Sequence, residues 1–251
     1  MTDTNKAASG GGMKLGLAAA ALGVLVGGSA VALYAGANDG AATKQEIEQT
    51  VRGYLLEHPE VLQEASQRLQ QREMGKAVDA NRAAFETPFA GAWAGARDAD
   101  VTLVEFFDYA CGYCRKSNAD VDRLLREDPK LRVVWREWPV LGADSEKAAA
   151  VSLAAAQAGK YRIFFDTLFA AGRPTDDALA RAQAAAGVSP QAVAQMQSSA
   201  AARDELSKNM QLAQTIGASG TPTFVVGDEV LQGAVGYEAL KEAIANARSG
   251  A

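Results

Sequence analysis

This 251-residue chain has two cysteines, and they stand together as Cys111-Gly112-Tyr113-Cys114 directly behind the apolar run Val101 to Tyr109. A β-rich run feeding a Cys-x-x-Cys at the start of a helix constrains the fold at once, because it places both thiols at a strand-to-helix turn. There the unpaired N–H groups of the first turn and the positive end of the helix dipole stabilise a thiolate on the first cysteine. The second cysteine, one turn on, is placed to attack the first sulfur and resolve a mixed disulfide, so the pair has the form of a reversible dithiol. Alternatives fit less well. A structural disulfide here would close too short a loop to restrict the unfolded chain much. Zinc asks for more ligands than two thiols and the distant, single His58 provide, whereas Cu(I), which soft thiolates hold with fewer ligands, stays open as a metal alternative. Two inert buried cysteines sit poorly beside Gly112, Arg115 and Lys116, which suggest an open, electropositive helix start.

Around the pair, Val101 to Phe107 has strand character, Arg115 to Arg126 is helical with Pro129 just past its end, and Leu131 to Trp138 returns to strand. Strand, helix, strand with a short turn is a βαβ unit and implies parallel pairing. Residues 143–217 are then almost wholly helical, broken near Gly159, Gly172-Arg173-Pro174 and Gly187. Thr223 to Val226 and Val230 to Gln232 flank Gly227-Asp228 as a hairpin, and Tyr237 to Arg248 closes the chain as a helix. That order predicts an α/β fold, a thioredoxin-like layer with a helical insertion at about 143–217.

Upstream, Thr43 and Glu46 form a capping box, and Ile47, Val51, Tyr54 and Leu55 recur at helical spacing until His58-Pro59. A second helix opens on Pro59 and carries Val61, Leu62, Ala65 and Leu69 on one side. So thin a helical pair cannot bury its stripe alone and must pack on the main domain, on a membrane or on copies of itself. His58, at the helix end, is expected to cap carbonyls there. Residues 86–100, rich in Gly, Ala and Pro, look like a linker. The expected division is therefore 1–37, 38–85 and 86–251.

From Leu15 to Ala35 no residue is charged, and Lys6 and Lys14 precede the stretch. Its length suits a membrane-spanning anchor with the lysines held on the cytoplasmic side, and a cleaved signal peptide is the rival. Either exports residues 38–251 to an oxidising compartment, periplasmic or extracytoplasmic, where an exposed dithiol has work to do. The net charge of −5 with scattered basic residues argues against a nucleic-acid surface.

Glu105-Phe106-Phe107-Asp108 leading into Cys111-Gly112-Tyr113-Cys114, the helical insertion, and Gly220-Thr221-Pro222-Thr223-Phe224 before the last hairpin together resemble the DsbA family of exported thiol–disulfide oxidoreductases. The resemblance covers roughly Thr102 to Ala247. It implies that Cys111 attacks and Cys114 resolves, that Pro222 is cis and faces the dithiol, and that the Thr221 backbone grips a substrate strand by β-augmentation. It also implies that Glu105 is a buried acid beneath the cysteines, able to take the proton of Cys114, and that no cofactor is needed beyond the redox-active pair itself. Gly112 and Tyr113 would face substrate. Strong oxidases of the family carry Pro-His between their cysteines, so Gly112-Tyr113 implies a less stabilised thiolate and a less oxidising disulfide. It resembles the DsbC-type isomerases instead. Residues 46–64 resemble the N-terminal helical region of ScsC and related DsbA-like proteins, some of them trimeric isomerases. The resulting expectation is an isomerase or reductase ahead of a disulfide-donating oxidase. Its partners would be unfolded or misoxidised exported proteins and a membrane redox protein that resets the dithiol, and residues 43–85 would join copies of the chain. A Cu(I)-binding protein using the same thiolates is the alternative of another class. Trp135, Trp138, Tyr161, Phe164 and Phe165 are expected to pack under the insertion more than to line a groove.

Overall fold

The computed structural model describes residues 43–250, so the apolar segment 15–35, with its expected anchor or signal role, lies outside the described residues. Among the described residues no helix is long and apolar enough to cross a membrane. The chain divides into two compact units, Met1–Glu64 and Ala65–Ala251.

In the first unit, α1 (Lys44–Glu57) starts with the expected capping box: the Glu46 N–H reaches Thr43 Oγ1 at 3.3 Å and the Thr43 N–H reaches Glu46 Oε2 at 2.8 Å. The helix stops at His58, which caps a last-turn carbonyl as expected, through its backbone and not its ring. The His58 backbone N–H closes the last turn on the Tyr54 carbonyl at 2.8 Å, while its ring turns to Glu60, with Nδ1 3.2 Å from Oε1. No residue of α1 is buried, and its apolar stripe of Ile47, Val51 and Tyr54 is more than half exposed. The next helix, α2 (Glu60–Ala80), has its first residues in this unit and the remainder in the second. A third short helix, α3 (Arg82–Glu86), follows a break at Asn81, so residues 43–85 hold three helices where the spacing predicts two.

The second unit is built on a sheet of β1 (Trp93–Gly95), β2 (Val101–Phe107), β3 (Leu131–Glu137), β4 (Thr223–Val226) and β5 (Glu229–Gln232), in the order β1-β3-β2-β4-β5. Strand β2 is central and every residue of it is buried, as an unbroken Val-Thr-Leu-Val-Glu-Phe-Phe run requires. It pairs in parallel with β3 across α4 (Gly112–Glu127) and antiparallel with β4, so that Glu105 lies opposite Trp135 on one side and Phe224 on the other. Strand β1 corrects the linker expectation for residues 86–100. It pairs antiparallel with the edge of β3, Trp93 opposite Val134, and the Trp135 N–H reaches the Ala92 carbonyl at 3.0 Å. The β4–β5 turn uses Gly227 at φ +60°, where a side chain would also crowd Ala247.

Because side chains alternate along β2, the sheet has two cores. Leu103 and Phe107 point to the face covered by α4, by α10 (Tyr237–Ser249) and by the inserted helices α5 (Ala143–Gln157), α6 (Tyr161–Ala171), α7 (Asp176–Ala186) and α8 (Pro190–Ser198). Val104 and Phe106 point to the other, closed by Met74 and Val78 of α2, Phe85 of α3, and Leu212 and Ala213 of α9 (Ala200–Thr215). The insertion matches its expected span but carries one further break, at Ser199, whose hydroxyl accepts the Ala202 N–H at 3.1 Å.

Candidate active site

The chain leaves β2 at Phe107 and turns into α4 on Asp108, and a buried carboxylate fixes that turn. Asp108 accepts the N–H groups of Ala110 at 2.8 Å, Val140 at 2.9 Å and Leu141 at 3.0 Å, and the Ser145 hydroxyl at 2.7 Å. Its own carbonyl takes the Cys111 N–H at 3.0 Å. Cys111 is thereby held in extended backbone just ahead of the first turn of α4, where its Sγ accepts the Cys114 N–H at 3.4 Å. On the opposite side Cys111 Sγ lies 3.2 Å from the Thr221 carbonyl, to which it donates when protonated. The Thr221–Pro222 peptide is cis, and the Pro222 carbonyl accepts from Gly233 at 2.8 Å, which ties this loop to the end of β5.

The two thiols are buried, unpaired with each other as a disulfide, and electrostatically unlike. Cys111 is pulled down to about 5, chiefly by the hydrogen bond that the Cys114 thiol offers it, against partial burial, with help from the Thr221 side chain and the N–H groups of Cys114 and Tyr113. Cys114 is pushed far up by burial first, then by donating to Cys111 and by the charge of Glu105. One sulfur is therefore a thiolate near neutral pH and the other keeps its proton.

Glu105 is fully buried on β2. Its Oε2 accepts the Trp135 indole N–H at 3.0 Å, and its Oε1 has no protein partner. Burial pushes its carboxyl up to about 8, the Trp135 bond opposes that, and Asp122 and Cys111 add to the rise while Arg162 eases it. A carboxyl balanced there is mostly protonated at neutral pH and serves as a base through its ionised fraction, which grows as pH rises towards 8.

The fold thus gathers Glu105, Cys111, Cys114, Thr221 and Pro222 in one place. Gly112 and Tyr113 sit on its exposed rim, with Tyr113 69% exposed, and a side chain at Gly112 would meet nothing within 4 Å. Trp135, Trp138, Tyr161, Phe164 and Phe165 are buried. Trp135 does more than pack, because its indole holds the acid. Among the described residues no three His, Cys, Asp or Glu side chains converge as a metal site. Sequence reasoning gave no role to Asp108 or Arg162. An acid closing an apolar strand two residues from the dithiol loop was a usable signal for Asp108, whereas Arg162 lies one helix into the insertion and only the tertiary fold brings it near.

A family model described as DSBA-like thioredoxin domain matches residues 102–245. The chain belongs to this family. Members of the DsbA family are thiol–disulfide oxidoreductases that work through a redox-active cysteine pair, which is the pair the fold presents here. A second model, described as Copper resistance protein ScsC N-terminal domain, matches residues 44–74. Among solved structures, a thioredoxin-like oxidoreductase from Silicibacter pomeroyi is 38% identical with a TM-score of 0.64, covering 68% of this chain and 99% of its own. ScsC of Proteus mirabilis in a compact conformation is 25% identical with a TM-score of 0.59, covering 81% of this chain and 97% of its own. Among curated proteins, a Na(+)/H(+) antiporter NhaA 3 of Salinispora tropica is 30% identical over 158 residues, 61% of this chain. This chain spans about a quarter (24%) of the length of that curated relative.

Proposed function

We propose that this DsbA-family protein reduces or isomerises disulfides of exported proteins, with Cys111 as nucleophile. The observation that carries the proposal is the Cys111 sulfur at the start of α4, 3.2 Å from the Thr221 carbonyl beside the cis Pro222, where a substrate strand laid along Thr221 brings its disulfide to the thiolate. The Cys111 thiolate attacks one substrate sulfur. A Cys111–substrate disulfide forms, the substrate S–S bond breaks, and the second substrate sulfur leaves as a thiolate that takes a proton. Cys114 then gives its proton to Glu105 in its ionised form and attacks Cys111 Sγ, so the Cys111–substrate bond breaks, the Cys111–Cys114 disulfide forms and the reduced substrate departs with two electrons. In isomerisation another substrate thiolate attacks the mixed disulfide before Cys114 does.

The lean towards reductase or isomerase rests on the thiolate. A Cys111 pulled to about 5 lies between the roughly 3.5 of the strong oxidant DsbA and the roughly 7 of thioredoxin, so its disulfide is less oxidising than that of the strongest oxidases. Export of residues 38–251, anchoring or signal function in 15–35, a membrane redox partner that returns the dithiol, and assembly through 43–85 belong to the same proposal. The match of 44–74 to the ScsC N-terminal domain supports the last.

The test is the reduction potential of the Cys111/Cys114 pair against glutathione. A value at or below about −180 mV is expected, whereas one near about −120 mV makes the protein a disulfide donor. Full activity of Cys111→Ser on reduced or scrambled substrates would sink the mechanism.

A further inference from the structure

Between the buried acid and solvent stands a cluster that the dithiol mechanism does not use. Arg162, in the first turn of α6, lays its guanidinium over the Trp135 ring, 4.8 Å from the ring centre, and Trp135 is the residue that holds Glu105 Oε2. Through Nη2 the same guanidinium pairs with Asp122 of α4 at 3.0 Å and with Asp166 of α6 at 2.7 Å, both open to water. Its other terminal nitrogen, Nη1, is buried without a protein partner, as is Glu105 Oε1. Along α4 between Cys114 and Asp122, Ser117 Oγ and Asn118 Oδ1 are likewise buried and unpaired. Buried polar atoms without a partner are unusual in a packed interior, and these four lie on β2, α4 and α6, the elements that carry Glu105, Cys114 and Arg162.

Building on the assignment of Glu105 as the base for Cys114, we propose that Arg162 is a positioning residue for the proton step: paired with Asp122 and stacked on Trp135, it sets how readily Glu105 takes the Cys114 proton and returns it to solvent. The groups that face Glu105 are the Trp135 indole from β3, apolar Phe224 from β4, Cys111, Cys114 and Asp122 from the α4 side, and Arg162 with the Tyr161 phenol from α6. Of the ionic neighbours, Arg162 favours the carboxylate and Asp122 disfavours it. With both in place their effects oppose, so removing either exposes the other. During the cycle the Cys114 S–H bond breaks and a Glu105 O–H bond forms. The Cys114 thiolate then displaces substrate from Cys111, and Glu105 later loses the proton to water. Because Arg162 sits on the insertion and Asp122 on α4, a shift of one helix against the other changes the proton balance of the site.

The experiment follows the Glu105 carboxyl by carbon NMR across pH in the full-length reduced protein, as wild type, Arg162→Gln, Asp122→Asn and Arg162→Lys. Alongside, the pH profile of Cys114-dependent substrate release from a Cys111 mixed disulfide is recorded. Arg162→Gln should move the Glu105 midpoint up and Asp122→Asn should move it down, each by on the order of one pH unit, the scale of one charge removed from a partly buried neighbourhood. Arg162→Lys should restore most of the wild-type value, since it keeps the charge. A merely structural role would move both charge variants the same way, and that result, or no movement in either, overturns the inference while leaving Glu105 as base. Midpoints that move as expected while the release profile stays fixed would instead overturn the assignment of Glu105 itself.

Discussion

Three side chains of the site titrate away from their ordinary values, and the directions divide them. Cys111 is pulled down to about 5 because thiol and N–H donors converge on it, whereas burial pushes Glu105 up to about 8 and Cys114 further. These shifts carry a sign into stability. Between pH 5 and its ordinary range Cys111 is ionised when folded and protonated when unfolded, so it makes the reduced protein more stable as pH rises. Glu105 acts oppositely: between its ordinary value of 4.5 and about 8 it holds a proton only when folded, so its contribution falls as pH rises. Buried Glu137, also pushed up, works in the same sense as Glu105. Urea unfolding of the reduced protein across this range should therefore show a steeper loss of stability with rising pH in Cys111→Ser than in wild type. Glu105→Gln should change the slope the other way, by at most about 1.4 kcal/mol per pH unit, the ceiling for one proton. Identical slopes in all three proteins would mean that neither group is perturbed. Ultraviolet absorbance of the thiolate gives an independent check, with a midpoint near 5 in wild type that vanishes in Cys111→Ser.

Elements are joined at this site by side chains that accept or donate many bonds at once, and those joints were the least legible part of the sequence. The strands β2, β3, β4 and β5 and the helices α4 and α10 followed from local pattern, since each carries its own β-rich run or helical spacing between local stops. Strand β1 did not, because Trp93-Ala94-Gly95 has no pattern of its own and becomes a strand only by pairing with Val133 and its neighbours. Cys111, Cys114 and the Thr221-Pro222 loop could be read as motifs. Nothing local reports that Trp135 holds Glu105, for the bond spans 30 residues and depends on the parallel register of β2 and β3. Asp108 is the clearest joint, since one carboxylate takes four hydrogen bonds from the dithiol loop, the 140–141 loop and the start of α5. Asp108→Ala leaves those donors buried without an acceptor, and it should cost about 3 kcal/mol or more in urea unfolding. Ser145→Ala removes one bond and should cost about 1 kcal/mol. Hydrogen exchange at Val140 and Leu141 should rise in Asp108→Ala and stay low in Ser145→Ala. A Ser145→Ala loss as large as that of Asp108→Ala would show that the hub is not the carboxylate.

At the scale of the whole molecule, the sheet's two faces are closed by different parts of the chain. The dithiol face is covered by α4, α10 and α5 to α8, and the far face by the late part of α2, by α3 and by α9. Arg136 of β3 pins that far face. Fully buried, it donates to Glu205 at 3.0 Å, to Asn209 at 2.9 Å and to the carbonyls of Ala84, Phe85 and Thr87 at the end of α3. Removing one partner of so buried a pair strands the other, so Arg136→Met should lower stability by about 3 to 5 kcal/mol while leaving the Cys111 thiolate midpoint in place. The first unit is made differently. Its α1 buries nothing, and Ile47, Val51 and Tyr54 recur at i, i+4 and i+7 as a half-exposed apolar stripe on an otherwise polar helix. A stripe of that spacing is favoured when another surface covers it, and the assembly proposed through residues 43–85 would supply a second copy of itself. Light scattering on the full chain should then give a mass above that of one chain, and Ile47→Glu with Val51→Glu should return it to one. Thiolate titration should be unchanged by the pair of substitutions, because the dithiol lies wholly within the second unit. Reduction of a small disulfide substrate should also persist. Isomerisation of a scrambled protein, which the proposed assembly would serve by holding several dithiols around one misfolded chain, should fall with the mass, and its persistence in the one-chain form would show that assembly is not part of the function.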